Sequence, residues 1–409
     1  MSLRNYLDKI KPKFKEGGKY HWLHSTFDAF EAFLYVPNTT SKSGVHIHDA
    51  SDTKRTMSIV ILALMPALLF GMYNVGYQHF LSIGESASIW LTFLYGFLSI
   101  LPQIVVSYVV GLGIEFIFAQ FRKEEVAEGF LVTGILIPMI MPVDTPLWMI
   151  ALATAFAVIF AKEVFGGTGY NILNVALVAR AFLFFAYPSK MTGDQVFVRT
   201  GGTFGLGNPE MVNGVAQTVD GFSGATPLGQ ISVSDVSSFS DFTFTNILGE
   251  PLSKLDMFLG LIPGSVGEVS TLAILIGAII LIATKVGSWK TILSVFLGGL
   301  FAIVLVNLFS QNAVMEMTPD YHFLLGGFAF GAVFMATDPV TSARTEKGKW
   351  IYGFLIGVMA ITIRIFNPGY PEGMMLAILF MNTFAPLIDY YVVDANVKHR
   401  MKRSAVKNK

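Results

Sequence analysis

Residues 89–119 read IWLTFLYGFLSILPQIVVSYVVGLGIEFIFA and carry one charged side chain, Glu115. The apolar residues follow neither a two-residue nor a 3.6-residue period, so the stretch offers no polar face to water. Its length suffices for a helix to cross the ~30 Å hydrocarbon core of a bilayer, which takes about 20 residues. In lipid every backbone N–H and C=O must find its partner within the segment, and a helix provides that. Nine more apolar segments lie near 57–76, 129–142, 147–163, 171–187, 269–284, 289–309, 322–337, 350–366 and 373–393. The expected fold is an all-α integral membrane protein of about ten transmembrane helices.

Composition supports this. Of 409 residues, 53% are hydrophobic and 14% charged, against about 25% charged in soluble domains. Lys plus Arg equals Asp plus Glu at 28 each, which argues against a nucleic-acid partner. There is no cysteine, so thiolate iron–sulfur clusters, Cys zinc sites and disulfides are excluded within this chain. The first fifty residues are polar and Lys-rich without an apolar signal core, so the first spanning helix is expected to direct its own insertion.

The cationic residues set an expected orientation. With the arm 1–56 inside, the inner loops hold Arg122, Lys123, Lys162, Lys285, Lys290, Arg344, Lys347 and Lys349, and the tail 394–409 adds six more. The outer segments hold Lys190, Arg199 and Lys254. Both termini are therefore expected on the cytoplasmic side. A short amphipathic helix over Phe27–Tyr35 is expected in the arm, with a flexible basic tail as the alternative.

The two halves, 57–187 and 269–393, share features. Phe130-Leu131-Val132-Thr133-Gly134 precedes Asp144, and Phe323-Leu324-Leu325-Gly326-Gly327 precedes Asp338-Pro339 at nearly the same spacing. Gly169-Tyr170 opens the fifth segment and Gly369-Tyr370 the tenth. Five segments per half implies two inverted repeats. The short third and eighth segments, holding Pro138, Pro142, Gly326, Gly327 and Gly331, are expected to be broken helices at a central pathway. Between the halves, 188–268 reads as an outer-side loop, largely non-helical, and loops this long usually carry function.

That loop contains Asp220-Gly221-Phe222-Ser223-Gly224-Ala225-Thr226. It resembles the flavinylation signature Asp-x-x-Ser-Gly-Ala-Thr, in which the Thr hydroxyl is joined to FMN through its phosphate. Small residues let the backbone approach a phosphate closely. An ordinary polar turn with Thr226 unmodified is the alternative.

The likeness extends along nearly the whole chain. It includes Ala161–Gly169, Ile262–Thr271, Met335–Val340 and Asn367–Met375. These segments resemble the NqrB/RnfD family, whose members are membrane subunits of the sodium-translocating NADH:quinone reductase and of the Rnf ferredoxin:NAD oxidoreductase. The long N-terminal arm favours the quinone reductase. That resemblance implies a covalent FMN on Thr226, with Asp220, Ser223, Gly224 and Ala225 completing the motif, and a flavin transferase that attaches it. It implies a six-subunit complex in the bacterial inner membrane, with lipid around it. NADH is then oxidised on another subunit, ubiquinone or menaquinone is reduced, sodium moves outward, and a non-covalent riboflavin lies nearby.

Intramembrane polar residues are costly in lipid and are therefore functional candidates. Glu115 and Gly111 are candidates for a quinone contact, following the resemblance, although Leu112 stands where relatives have a second Gly. Glu115 and Asp338 are candidate sodium ligands, since hard cations prefer oxygen. Pairing of Glu115 with Arg122 or Lys123, and a helix-cap role for Asp338, are the structural alternatives. Asp28 and Asp389 resemble acids linked to sodium uptake but read more naturally as structural. Arg180 and Arg364 are candidates to hold a flavin phosphate or anion, or to form ion pairs. The amides of Asn171 and Asn174 are candidates for a riboflavin edge. His46, His48 and Asp49 lie close together, but no metal is expected there. A channel or secondary transporter of the same fold, without redox chemistry, is the reading from another functional class.

Overall fold

The computed structural model describes residues 53–122, 129–192, 196–200, 222–234, 238–367 and 369–407, with 3–14, 18–20 and a few short stretches besides. Asp28, Lys123, Asp220 and the group His46, His48 and Asp49 fall outside the described residues.

The apolar segments are predominantly helical. Helix α1 is Leu3–Ile10. Helices α2 (Thr53–Ser82), α3 (Ile89–Arg122), α4 (Phe130–Ile140), α5 (Leu147–Ala157) and α6 (Val175–Ala186) make the first half. In the central loop, α7 is Pro227–Val233 and α8 is Lys254–Leu259. The second half holds α9 (Thr271–Ala283), α10 (Trp289–Asn307), α11 (Ala313–Glu316), α12 (Pro319–Leu324), α13 (Phe328–Phe330), α14 (Glu346–Phe366) and α15 (Met374–Lys407). Among the described residues, six helices are long and apolar enough to cross a membrane, counting α5 with its extension to Phe165. Helices α4, α6 and α9 are shorter and equally apolar.

Both short segments end for visible reasons. Helix α4 has 11 residues, about 16 Å of rise, and stops before Pro142. The eighth segment breaks at Gly326 and Gly327, with φ of +67° and +68°. Only glycine adopts that left-handed conformation without steric cost. The chain then resumes as α13 and enters a π turn over Gly331–Met335. A second π turn, Val158–Lys162, extends α5.

Close approach rather than oiliness joins these helices, because lipid tails are as apolar as leucine. A Cβ at Gly298 would lie 2.0 Å from the Phe354 carbonyl, and one at Gly357 would lie 2.1 Å from that of Val295. Those glycines let α10 and α14 run in contact. One apolar core passes through both halves, and a second cluster (Leu228, Ile231, Phe244, Met257, Ile262, Met317 and neighbours) lies under the central loop.

One expectation needs correction and two gain detail. The central loop is not simply non-helical: α7 and α8 form there because each buries apolar residues in the second cluster. The tail 394–409 is largely helical, since α15 continues without interruption to Lys407; no Gly or Pro breaks it after Pro386. The arm begins with α1, whose Leu3, Tyr6, Leu7 and Ile10 recur at helical spacing. Of the Phe27–Tyr35 stretch only two positions are described: Phe27 stacks on Phe14 at 4.5 Å between ring centres, and Glu31 accepts from Lys11 at 2.6 Å.

Candidate functional site

Thr226 is the N-cap of α7. Its Oγ accepts from the Gly229 amide at 3.1 Å, and Pro227 occupies the first helical position, where its missing N–H costs nothing. Gln230 fastens the loop: its amide donates to the Thr245 carbonyl at 2.8 Å, and its carbonyl accepts from the Thr245 N–H at 3.1 Å. Leu228 and Ile231 anchor the other face of α7 in the second cluster. Thr226 is half-buried, as are Ser223 and Ala225, while Gly224 is buried. Thr226, Ser223 and Ala225 line an open cavity of about 730 Å³, together with Thr192, Phe242 and Glu372. That volume lies within the ~300–1,000 Å³ usual for small-molecule sites.

Beneath this cavity lies a group of buried charges that the sequence reading only half identified. A narrow cleft lined by Thr226, Ser265, Glu268, Gly326, Gly327 and Glu372 leads down from it. Arg180 donates to Glu268 at 2.5 Å and to the Ile140 carbonyl at 2.6 Å. The carbonyl of Ile140 is an orphan acceptor at the end of α4, so one guanidinium closes a broken helix and neutralises an acid together. Arg364 answers the backbone carbonyls at the break in the eighth segment. It donates to the carbonyls of His322 at 2.6 Å, Leu325 at 3.1 Å, Pro371 at 3.1 Å and Glu372 at 3.3 Å. Both arginines are thus committed to this chain's own backbone. A Cβ at Gly327 would sit 2.8 Å from the Glu268 carboxylate, so the glycine that breaks the helix also admits the acid.

Asp338, Asn171 and Asn174 meet elsewhere, in a cavity of about 70 Å³ that Lys162, Thr168 and Thr337 also line. Asn174 caps α6, accepting from the amides of Ala176 and Leu177 at 3.1 and 3.2 Å, and donates to Asp338 at 3.2 Å. Asp338 also accepts from the Thr341 hydroxyl at 2.9 Å and the Val340 N–H at 3.1 Å. Asn171 donates to the Leu173 carbonyl at 3.1 Å. Helix α6, of 12 residues or about 18 Å, separates Asn174 at its start from Thr192 beyond its end. The two asparagines therefore border a site distinct from that of Thr226.

Glu115 is buried and pairs with Lys162 from the π turn, not with Arg122. Arg122 instead pairs with Glu163 at 2.9 Å. The sequence reading missed Lys162 as the partner because a π turn shifts every later side chain on its helix. Gly111 lies under the Phe130 ring, where a Cβ would come within 1.8 Å of it. Asp389 accepts from the Arg344 N–H at 2.7 Å and from the N–H and hydroxyl of Thr345 at 3.0 and 2.6 Å, which supports the start of α14. Glu268 and Glu372 are further members of this group beyond the sequence-based candidates; they lie within Ile262–Thr271 and Asn367–Met375, and an acid soon after a Pro-Gly pair is the local signal that marks both.

A model of the NQR2, RnfD, RnfE family matches residues 40–398. The chain belongs to that family. Similar relatives are named as the B component of Na(+)-translocating NADH-quinone reductase. That of Ectopseudomonas mendocina (strain ymp) is 43% identical, covering 99% of this chain and all of the relative. That of Chromohalobacter salexigens is 44% identical, over 99% of this chain and 97% of the relative. That of Pseudoalteromonas atlantica is 42% identical over 98% of this chain. For this member of the NQR2, RnfD, RnfE family, the alignment to full-length relatives takes in the N-terminal arm as well as the membrane helices.

Proposed function

We propose that this chain is a membrane subunit of a sodium-translocating NADH:quinone reductase, carrying FMN esterified through its phosphate to Thr226. The observation that carries the reading is the position of the Thr226 hydroxyl, on the Ser-Gly-Ala-Thr loop and at the wall of the large cavity. The residues fit such a group. Thr226 is half-buried yet borders open space, Ser223 and Ala225 beside it on the cavity wall are small, and the volume holds a tricyclic ring. When bound, a flavin supplies electron transfer. This chain's residues would do the rest. Gln230 and the α7 cap fix the tether, Phe242 and Pro371 shape the apolar wall, and Arg180 with Glu268 keeps the floor rigid.

Sodium belongs to the other cavity in this reading. Asp338 and Thr337 present oxygen atoms there, Asn174 orients the Asp338 carboxylate with its amide N–H, and Glu115 with Lys162 lies close by. A quinone contact near Glu115 and Gly111, and a non-covalent riboflavin near Asn171, are further parts of the proposal. NADH oxidation occurs on another subunit of a six-subunit assembly in the bacterial inner membrane. Both ends of the chain lie in the cytoplasm in this reading, which the distribution of Lys and Arg supports. The two halves are inverted repeats of five segments; supporting this, the second helix packs on the fourth, and the fourth on the fifth, within each half. Full-length relatives that bear the reductase name favour this reading over the Rnf complex and over a redox-free channel.

Mass spectrometry of the denatured chain, made together with its flavin transferase, tests the proposal. One FMN is expected on the peptide holding Thr226, and Thr226→Ala is expected to remove it together with in-gel flavin fluorescence. A wild-type chain without flavin would end the redox reading.

A further inference from the structure

A third cavity, of about 410 Å³, opens where α9 hands over to α10. Four cationic side chains line it, Lys285, Lys290, Arg344 and Lys349, against one carboxylate, Glu346. Glu346 is shared by Lys290 and by Lys349, the latter at 2.7 Å. Lys285 and Arg344 are exposed. The formal surplus is three positive charges. Ser288 and Ser342 add hydroxyls to the wall. Below the rim the surface turns apolar at once: Ile279, Ile282, Leu293 and Leu297 are all exposed large side chains of α9 and α10. Trp289, about half exposed at 49%, stands at the boundary with its ring edge-on to Trp350 at 5.9 Å. Tryptophan prefers that level of a bilayer, where headgroup meets acyl chain.

We infer that this cavity binds the phosphodiester headgroup of an anionic phospholipid, whose acyl chains lie along the exposed faces of α9 and α10. Positive charge here is continuous with a lipid-facing wall, and an anionic lipid complements both. A soluble anion would use the cations but leave the apolar face unexplained, and a zwitterionic lipid would leave the positive surplus unmatched. Basic pockets between membrane helices at the headgroup level recognise anionic lipids in this way. The first turns of α10 and α14 both open on the cavity, and their positive dipole ends add to the same field. The inference rests on the chain spanning a membrane and is independent of any flavin on Thr226.

The test uses tryptophan quenching of the full-length chain in phosphatidylcholine nanodiscs containing brominated phosphatidylglycerol or brominated phosphatidylcholine. At equal mole fraction, the glycerol lipid is expected to quench about twofold or more strongly at low salt, and the preference to shrink toward 1 M salt as screening grows. Trp289→Phe is expected to remove most of the difference. The double change Lys285→Gln, Arg344→Gln, at two exposed positions, is expected to abolish the preference with the helix content unchanged. Equal quenching by the two lipids would overturn the inference. So would a preference that survives the double change, which would reflect only a general attraction of the basic face. A preference seen for the isolated chain and absent from the assembled complex would assign the cavity to a neighbouring protein instead.

Discussion

The cavity at Thr226 and the cavity at Asp338 differ about tenfold in volume, near 730 Å³ against 70 Å³. They also differ in how their polar groups are satisfied. Around Thr226 the charged groups are drawn back into the floor, where Arg180 and Arg364 are spent on Glu268 and on backbone carbonyls. The walls that remain are mostly small and uncharged, with Glu372 the one acid among the lining residues. Around Asp338 the carboxylate itself faces the space, held by three donors from three residues. The first arrangement suits a large tethered group whose environment must not move. The second suits an ion-sized guest that exchanges oxygen partners. The lesson is that one apolar frame supports both because each broken helix exposes backbone groups that must be answered, and the answering residue decides what space is left.

The sharpest way to break this contrast is at the floor of the large cavity. Arg180→Ala leaves Glu268 buried without its cation and leaves the Ile140 carbonyl with only the Ser265 hydroxyl at 3.3 Å. Removing one partner of such a pair costs about 3–5 kcal/mol. Thermal unfolding of the detergent-solubilised chain is expected to show this loss, whereas a drop no larger than that for an exposed Arg→Ala change would mean the floor is not structural. Next in size is the small cavity. Asp338→Asn keeps the shape but removes the charge. It is expected to raise the sodium concentration for half-maximal turnover of the assembled complex by about tenfold, the equivalent of 1.4 kcal/mol. An unchanged sodium response would reduce Asp338 to a cap. Thr226→Ala abolishes flavin attachment in the proposal above, yet its cost to folding is only that of a lost N-cap, about 1 kcal/mol. A much larger destabilisation would confuse the chemical role with a structural one.

The smallest effect concerns how the central loop is fastened. Glu316 accepts from the Phe239 N–H at 2.9 Å and the Ser238 hydroxyl at 2.8 Å, and these bonds hold its carboxyl below the usual glutamate range. A depressed carboxylate stabilises the fold above its unfolded pKa and loses that contribution as pH falls through the folded one. Limited proteolysis of the loop is expected to quicken slightly at pH below that range and to lose this pH dependence in Glu316→Gln. No difference between wild type and variant would detach Glu316 from loop closure.

How far the sequence could be read varied with the range of the interaction. The apolar runs were legible because spanning a bilayer is a property of a contiguous segment, and six of them coincide with helices long and apolar enough to cross. The breaks at Pro142 and at Gly326-Gly327 were legible because backbone conformation is a local property. The helices within 188–268 were not, since α7 and α8 are short and exist by burying Leu228, Ile231 and Met257 in a cluster assembled from distant parts of the chain. The partner of Glu115 was missed for a similar reason: Lys162 is 47 residues away, and it reaches the acid through a π turn that no periodicity announces.

By itself, the sequence determined that this protein lives in lipid, where its helices interrupt, and which loop carries a hydroxyl among small residues. Those follow from hydrophobicity, φ preference and a short motif, all readable within about 20 residues. Only the tertiary structure decided that the two buried arginines are backbone clamps, that Asn174 belongs with Asp338 and not with Thr226, and that Lys285 and Arg344 share one cavity. Buried charges need partners more strongly than any surface group does, and the fold alone chooses which partner stands near.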